Sequence, residues 1–243
     1  MSSLVLLCAA IAQLAAGAPR ARAPADTVQT ADAPAAITAA RVAATTALAA
    51  LRPTWPGLDV EWKADQPGPA VVTGLRVPTT GQDTTARGLD FLVRHPWWAP
   101  LGVATLHAEA PSESRDRSVA RFELVVPGPT GPAVVLDRSI AVAMDSAGQV
   151  LHVVSDAMPV ARVPLWRVPA ARAARIAGLA HAARPDLTRR APNATSPRAA
   201  VIATSTGATP VWAVDVGGTL DPAVVLVDAA SGRVLAQRSL VRR

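Results

Sequence analysis

The chain has 243 residues, a formal net charge of +6 and 50% apolar content, which excludes global disorder and allows one large domain or two small ones. Tyr is absent and Phe occurs twice, so the six tryptophans (55, 62, 97, 98, 166 and 212) supply most of the large side-chain volume and are expected as core anchors. Lys63 is the only lysine, the arginines are scattered, and no aromatic–basic motif accompanies them; the charge is therefore not a nucleic-acid signature.

Residues 4–18 read as the apolar region of a secretory signal, with small residues Ala16-Gly-Ala18 before a first cut and Ala21-Arg-Ala23 before a second. The competing reading is a buried N-terminal helix. Residues 19–33 are expected as a flexible leader rich in Ala, Pro, Asp and Thr. Asp32 and Pro34 then open a helix that ends before Pro53. Leu58–Trp62 alternates as a strand, turns at Asp65-Gln-Pro-Gly68 and returns through Val71–Val77. A helix is expected from Thr84 to Arg94. Strands follow near 103–110 and 118–126, then a Pro/Gly loop at 127–132 and a hairpin at 134–155. Pro169 opens a second apolar-faced helix to about residue 183, residues 185–199 read as a loop, and strands near 200–205, 210–216 and 222–240 close the chain.

The two hairpins share one design. Ile140–Val154 turns on Asp145 and Gly148, and Ala223–Leu235 turns on Asp228 and Gly232. In each, Gly follows the acidic turn residue, where positive φ is required. The pattern is α+β: two small units, residues 34–163 and 164–243, each an antiparallel sheet packed against a helix, cystatin- or PepSY-like. Parallel βαβ winding is not expected.

The residues offer no catalytic constellation. None of His95, His107, His152 and His181 belongs to a His-Glu-x-x-His helix, and His107 with Glu109 does not complete a metal site. Gly-x-Ser-x-Gly, phosphate-loop and dinucleotide motifs are absent. The expectation is a non-enzyme with no cofactor or metal. No later stretch is apolar and long enough to span a membrane.

The order of elements resembles the propeptides of secreted thermolysin- and fungalysin-type zinc proteases. Leu58–Gly74 is similar to their opening strand, turn and strand, and Ala86–Leu92 to the helix that follows. The propeptide motif proper corresponds to Ala120–Leu124, then Gly131, Pro132 and Val134, then the hairpin with Asp145 and Gly148. A PepSY-like unit corresponds to Ala170–Leu187, the strand with Trp212, and the hairpin with Asp228 and Gly232. The strand at 120–126 lacks the family's Gln and Tyr, and the chain reaches Arg243 without entering a protease domain. The resemblance implies a secreted or envelope-located, non-catalytic bacterial protein that binds a zinc metalloprotease as inhibitor or folding helper. Its alternatives are an envelope PepSY-like binding module with no protease link, and a truncated or decayed protease precursor.

Overall fold

The computed structural model describes residues 32–98, 101–183, 196–205, 207–217 and 222–240. The expected signal and most of the leader lie outside them, as does most of the loop expected over 185–199. Helix α1 (Asp32–Leu51) is followed by strands β1 (Asp59–Glu61), β2 (Val71–Thr73) and β3 (Val77–Pro78). Helix α2 (Thr84–Arg94) and a 3-10 turn at Pro96–Trp98 lead to β4 (Thr105–Ala108), β5 (Ser112–Glu113), β6 (Arg117–Gly128), β7 (Gly131–Asp145) and β8 (Gln149–Ser155). Helix α3 (Ala170–Ala182) precedes β9 (Arg198–Thr204), β10 (Gly207–Val216), β11 (Ala223–Asp228) and β12 (Val234–Ser239). No helix among the described residues is long and apolar enough to cross a membrane.

The helices form where their signals lie. Asp83 caps α2, its carboxylate accepting from the Ala86 N–H at 2.8 Å, an interaction worth about 1 kcal/mol. At the other end Arg94 bonds back to Asp90, one turn earlier. Pro169 stands before α3 with extended φ and ψ, and Ala173, Ala177 and His181 form the buried stripe of that helix.

The expectation of two small helix-plus-sheet units is incorrect. All twelve strands belong to one sheet, whose main path runs β1-β2-β8-β7-β9-β10-β11-β12. The reason is β7, which is fifteen residues long. Along one side it pairs with β6 over residues 131–134 and 139–145, with a register shift between the two stretches. Along its other side, Ile140–Met144 pairs antiparallel with β8, while Val134 and Val135 pair parallel with Ala200 and Val201 of β9. A strand expected only in the first half therefore also carries the second. The Pro/Gly stretch at 127–132 is no loop either: Pro127 faces Pro132 and Gly128 faces Gly131, so the ladder extends to a tight turn at Pro129–Thr130.

The main core lies between the sheet and the helices. It contains Phe91 and Leu92 of α2, Phe122 and Leu124 of β6, Val142 and Met144 of β7, Ala173 and Ala177 of α3, and Trp212, Val225 and Val227 from the last strands. Each tryptophan is in this core or packs against it: Trp98 and Trp212 are buried, and Trp55, Trp62, Trp97 and Trp166 are half-buried around them. In a chain so rich in Ala and Val, these indoles fill the space that small side chains leave.

A second apolar cluster lies on the other face of the last strands. Ala200, Val211, Ala213 and Leu226 are buried there, with Leu136, Ile202, Val224 and Ala236 against them. No described helix covers this face; curling of the sheet encloses it. Arg238 of β12 reaches Asp137 of β7 at 3.0 Å. Three strands intervene, so a flat sheet would hold β7 and β12 about 19 Å apart at the usual strand spacing. The ion pair is therefore possible only across a strongly curled, half-barrel sheet. Asp137 adopts a left-handed φ of 57°, the only non-glycine to do so among the described residues, at the point where β7 passes from β9 to β8.

Candidate functional site

The sequence singled out two turns, and the structure builds them alike. Asp145 Oδ1 accepts from the N–H groups of Ala147 and Gln149, each at 2.9 Å. Asp228 Oδ1 accepts from Ala230 at 2.7 Å and Ser231 at 2.8 Å. Gly148 and Gly232 follow with φ of 79° and 80°, a region that a Cβ would strain. Both carboxylates are thus occupied with their own turns. Gly131 and Pro132 open β7 just after the tight turn, opposite Gly128 and Pro127, and Val134 pairs with both Val125 and Ala200. Trp212 is buried at 3% exposure, and its indole N–H donates to the Val168 carbonyl at 2.7 Å. These eight residues are spread over the sheet and do not converge on one cleft.

Several other polar groups are also held by structural partners, although the buried Gln66 Oε1 and Trp98 Nε1 have no hydrogen-bond partner among the described residues. Lys63 pairs with Asp156, whose same oxygen accepts from Gln66 at 2.9 Å. Burial alone would raise the Asp156 carboxyl, but hydrogen bonds from Lys63 and Gln66 and the charges of Lys63 and Arg138 hold it below the usual carboxylate range. Arg138 donates to the carbonyls of Asp156 and Ala203, and so ties the end of β8 to β9 where both leave β7. His181 is buried and meets Gln237 at 2.9 Å. Burial lowers the pKa of His95 and of His152, and neighbouring Arg94 and Arg117 add to the respective effects.

One group of titratable residues was only half visible in the sequence. His107 of β4 lies directly opposite Glu123 of β6, and the Glu109 N–H bonds to the Arg121 carbonyl next to it. Burial raises the Glu123 pKa; a hydrogen bond and like charge from Glu109 raise it further, against a smaller opposing effect of His107. The alternation of His107 and Glu109 was legible, whereas their partner came from a strand whose register the sequence does not specify. Among the described residues, no set of three or more His, Cys, Asp or Glu is placed to hold a metal ion.

An open groove of about 410 Å³ runs along α1, lined by Ile37, Arg41, Val42, Thr45 and Ala64 among others. Its polar groups are engaged locally. The Thr45 and Thr46 hydroxyls donate to the Arg41 and Val42 carbonyls, while Arg41 donates to the Ala64 carbonyl and lies 5.0 Å from the Trp62 ring centre.

Sequence reading also missed the place of β12 in the sheet. This strand pairs with β11 and ends the main path of the sheet. Val234 and Leu235 are 40% and 42% exposed, and Leu240 just beyond is 53% exposed. The run of apolar residues was visible in the sequence; its position at the end of that path was not, because strand order depends on non-local pairing.

No protein-family model matches the chain, and no curated protein matches it. The likeness to metalloprotease propeptides therefore finds no support in these comparisons. Among solved structures, the C-terminal domain of Bacillus megaterium YpeB is similar at 14% identity over 76% of each chain, with a TM-score of 0.37.

Proposed function

We propose that this chain is a non-catalytic protein-binding module that acts outside the cytoplasm. The observation that carries this reading is the commitment of its polar side chains. Asp145 and Asp228 cap turns, Asp156 is tied to Lys63 and Gln66, and Asp90 to Arg94 and Thr80. A general base or nucleophile needs a partner arranged around a substrate. Here the partners of these groups are arranged around the fold, and the last strand exposes the apolar side chains of Val234 and Leu235.

Such a module acts by differential affinity, favouring the partner conformation it binds best. The propeptide-like order of elements favours one class of partner, a secreted zinc protease that the module inhibits or helps to fold. The purified chain should form a saturable complex with a protein exported by the same cell. If that protein is a zinc protease, the complex should lower its rate or raise its refolding yield. Turnover of peptide, ester or phosphoester substrates by the chain itself would refute the reading, as would failure to form any such complex.

A further inference from the structure

Helix α3 carries basic and apolar side chains on the side that faces away from the sheet. Its inner stripe, Ala173, Ala177 and His181, is buried where the helix packs on β10 and β11. Arg172, Arg175 and Leu179 follow one another at intervals of three and four residues, and so form one line on the opposite side. All three are exposed, Leu179 to 68%. The segment that leads into the helix continues the pattern: Arg162 is exposed and Leu165 is also 68% exposed.

Folding does not account for these side chains. Arg172 lies in the first turn of α3, where the helix dipole disfavours a cation. Arg162, Arg172 and Arg175 have no ion-pair partner among the described residues. From Ala157 to Pro185 the sequence has five arginines and no Asp or Glu. This local charge calls for an anionic partner, and its form favours a lipid headgroup layer over a protein. The outer line of a helix is convex, and arginines interleaved with single leucines match an interface that is charged at its surface and apolar just below. The core of a protein interface instead excludes charge.

We propose that the outer face of α3, with the segment before it, docks on an anionic lipid bilayer. The arginines meet phosphate headgroups, and Leu165 and Leu179 enter between them. This surface is separate from the protein partner proposed above: docking on vesicles and formation of a protein complex can each fail without the other.

The test uses the full chain with Cys8, its only cysteine, replaced by serine. An environment-sensitive dye is attached at Leu179→Cys or, as a control, at Val93→Cys on α2, where the parent side chain is 69% exposed. Vesicles of equal parts phosphatidylglycerol and phosphatidylcholine should brighten the dye at position 179, shift it to the blue, and leave the dye at position 93 unchanged. Phosphatidylcholine alone should do neither, and added salt should weaken the response. The paired reporters prevent an anchor elsewhere, such as the apolar residues 4–18, from imitating the result, because such an anchor brings no particular helix face into the bilayer. Each arginine near an anionic surface is worth about fivefold in partition, so Arg172→Gln with Arg175→Gln should lower the ratio of docked to undocked dye about 25-fold at sub-saturating lipid. Arg115→Gln with Arg121→Gln removes the same charge from exposed positions at β6 and should change that ratio by less than about twofold. No response at position 179, an equal response at position 93 or with phosphatidylcholine alone, or equal losses from the two arginine pairs would each overturn the proposal. An equal response of the dye to polyglutamate in place of vesicles would overturn it in favour of an acidic protein.

Discussion

Gly88→Ala separates two opposing effects of one methyl group. Gly88 is in the middle of α2, where alanine raises helix propensity by about 1 kcal/mol. The new Cβ, however, would sit 2.5 Å from Ala120 Cβ and 3.1–3.2 Å from two ring atoms of Phe122. Carbon atoms ordinarily meet at about 3.5–4.0 Å, so α2 must move from β6 by about 1 Å. Overpacking of this kind costs about 1–3 kcal/mol. The upper end applies because Ala120 and Phe122 are 0% and 1% exposed and are held in the ladder between β6 and β7. Subtracting the propensity gain leaves a net loss of about 2 kcal/mol, or about 4–8 °C in melting temperature for a domain of this size. Thermal unfolding by circular dichroism measures it. Adding Ala120→Gly removes the nearest clash, and the two changes should couple favourably by about 1 kcal/mol or more in a double-mutant cycle. A Gly88→Ala variant that melts at or above the parent temperature would refute the packing argument.

Asp145→Ala and Asp228→Ala each remove two turn hydrogen bonds; each should cost about 1–2 kcal/mol in denaturant unfolding, with similar values because the turns are built alike. Trp212→Phe leaves the Val168 carbonyl without its donor and opens a small cavity, so a loss of about 2–4 kcal/mol is expected in the same assay. Glu123 has a raised pKa in the folded state, so its contribution favours folding below the usual carboxylate range and is lost as pH rises through the raised value. Glu123→Gln should therefore raise the melting temperature slightly at neutral pH, and the difference should vanish near about pH 3. At Asp137, Asn tolerates the left-handed φ and loses only an exposed ion pair, so it should change stability by less than about 1 kcal/mol. Val should cost about 1–2 kcal/mol more, because its branched Cβ resists that backbone conformation.

The legible parts of the fold are those governed by neighbours in sequence. The Asp83 cap, Pro169 and the Asp145–Gly148 and Asp228–Gly232 turns act over a few residues, and α2 and α3 fall within a residue or so of their expected limits. Strand order was not legible. The segment Leu136-Asp-Arg-Ser139 interrupts the apolar alternation and looks like a break, yet β7 passes through it because Asp137 finds a partner on β12 and Arg138 finds partners on β9 and at Asp156 just after β8. The pairing of Val134 with Ala200 spans more than sixty residues, and nothing local announces it. The same limit hid the place of β12 at the end of the main sheet path and the position of Glu123 opposite His107.

The long shared strand β7 also has a thermodynamic consequence. If the sequence halves had separate cores, either could open while the other stayed closed, and hydrogen exchange would report two free energies. With β7 hydrogen-bonded to β6 and β8 in one half and to β9 in the other, opening either half exposes a strand that the other needs. The amides of Val135, Val142 and Val201 should therefore exchange through a common, cooperative opening, making the molecule a single foldon.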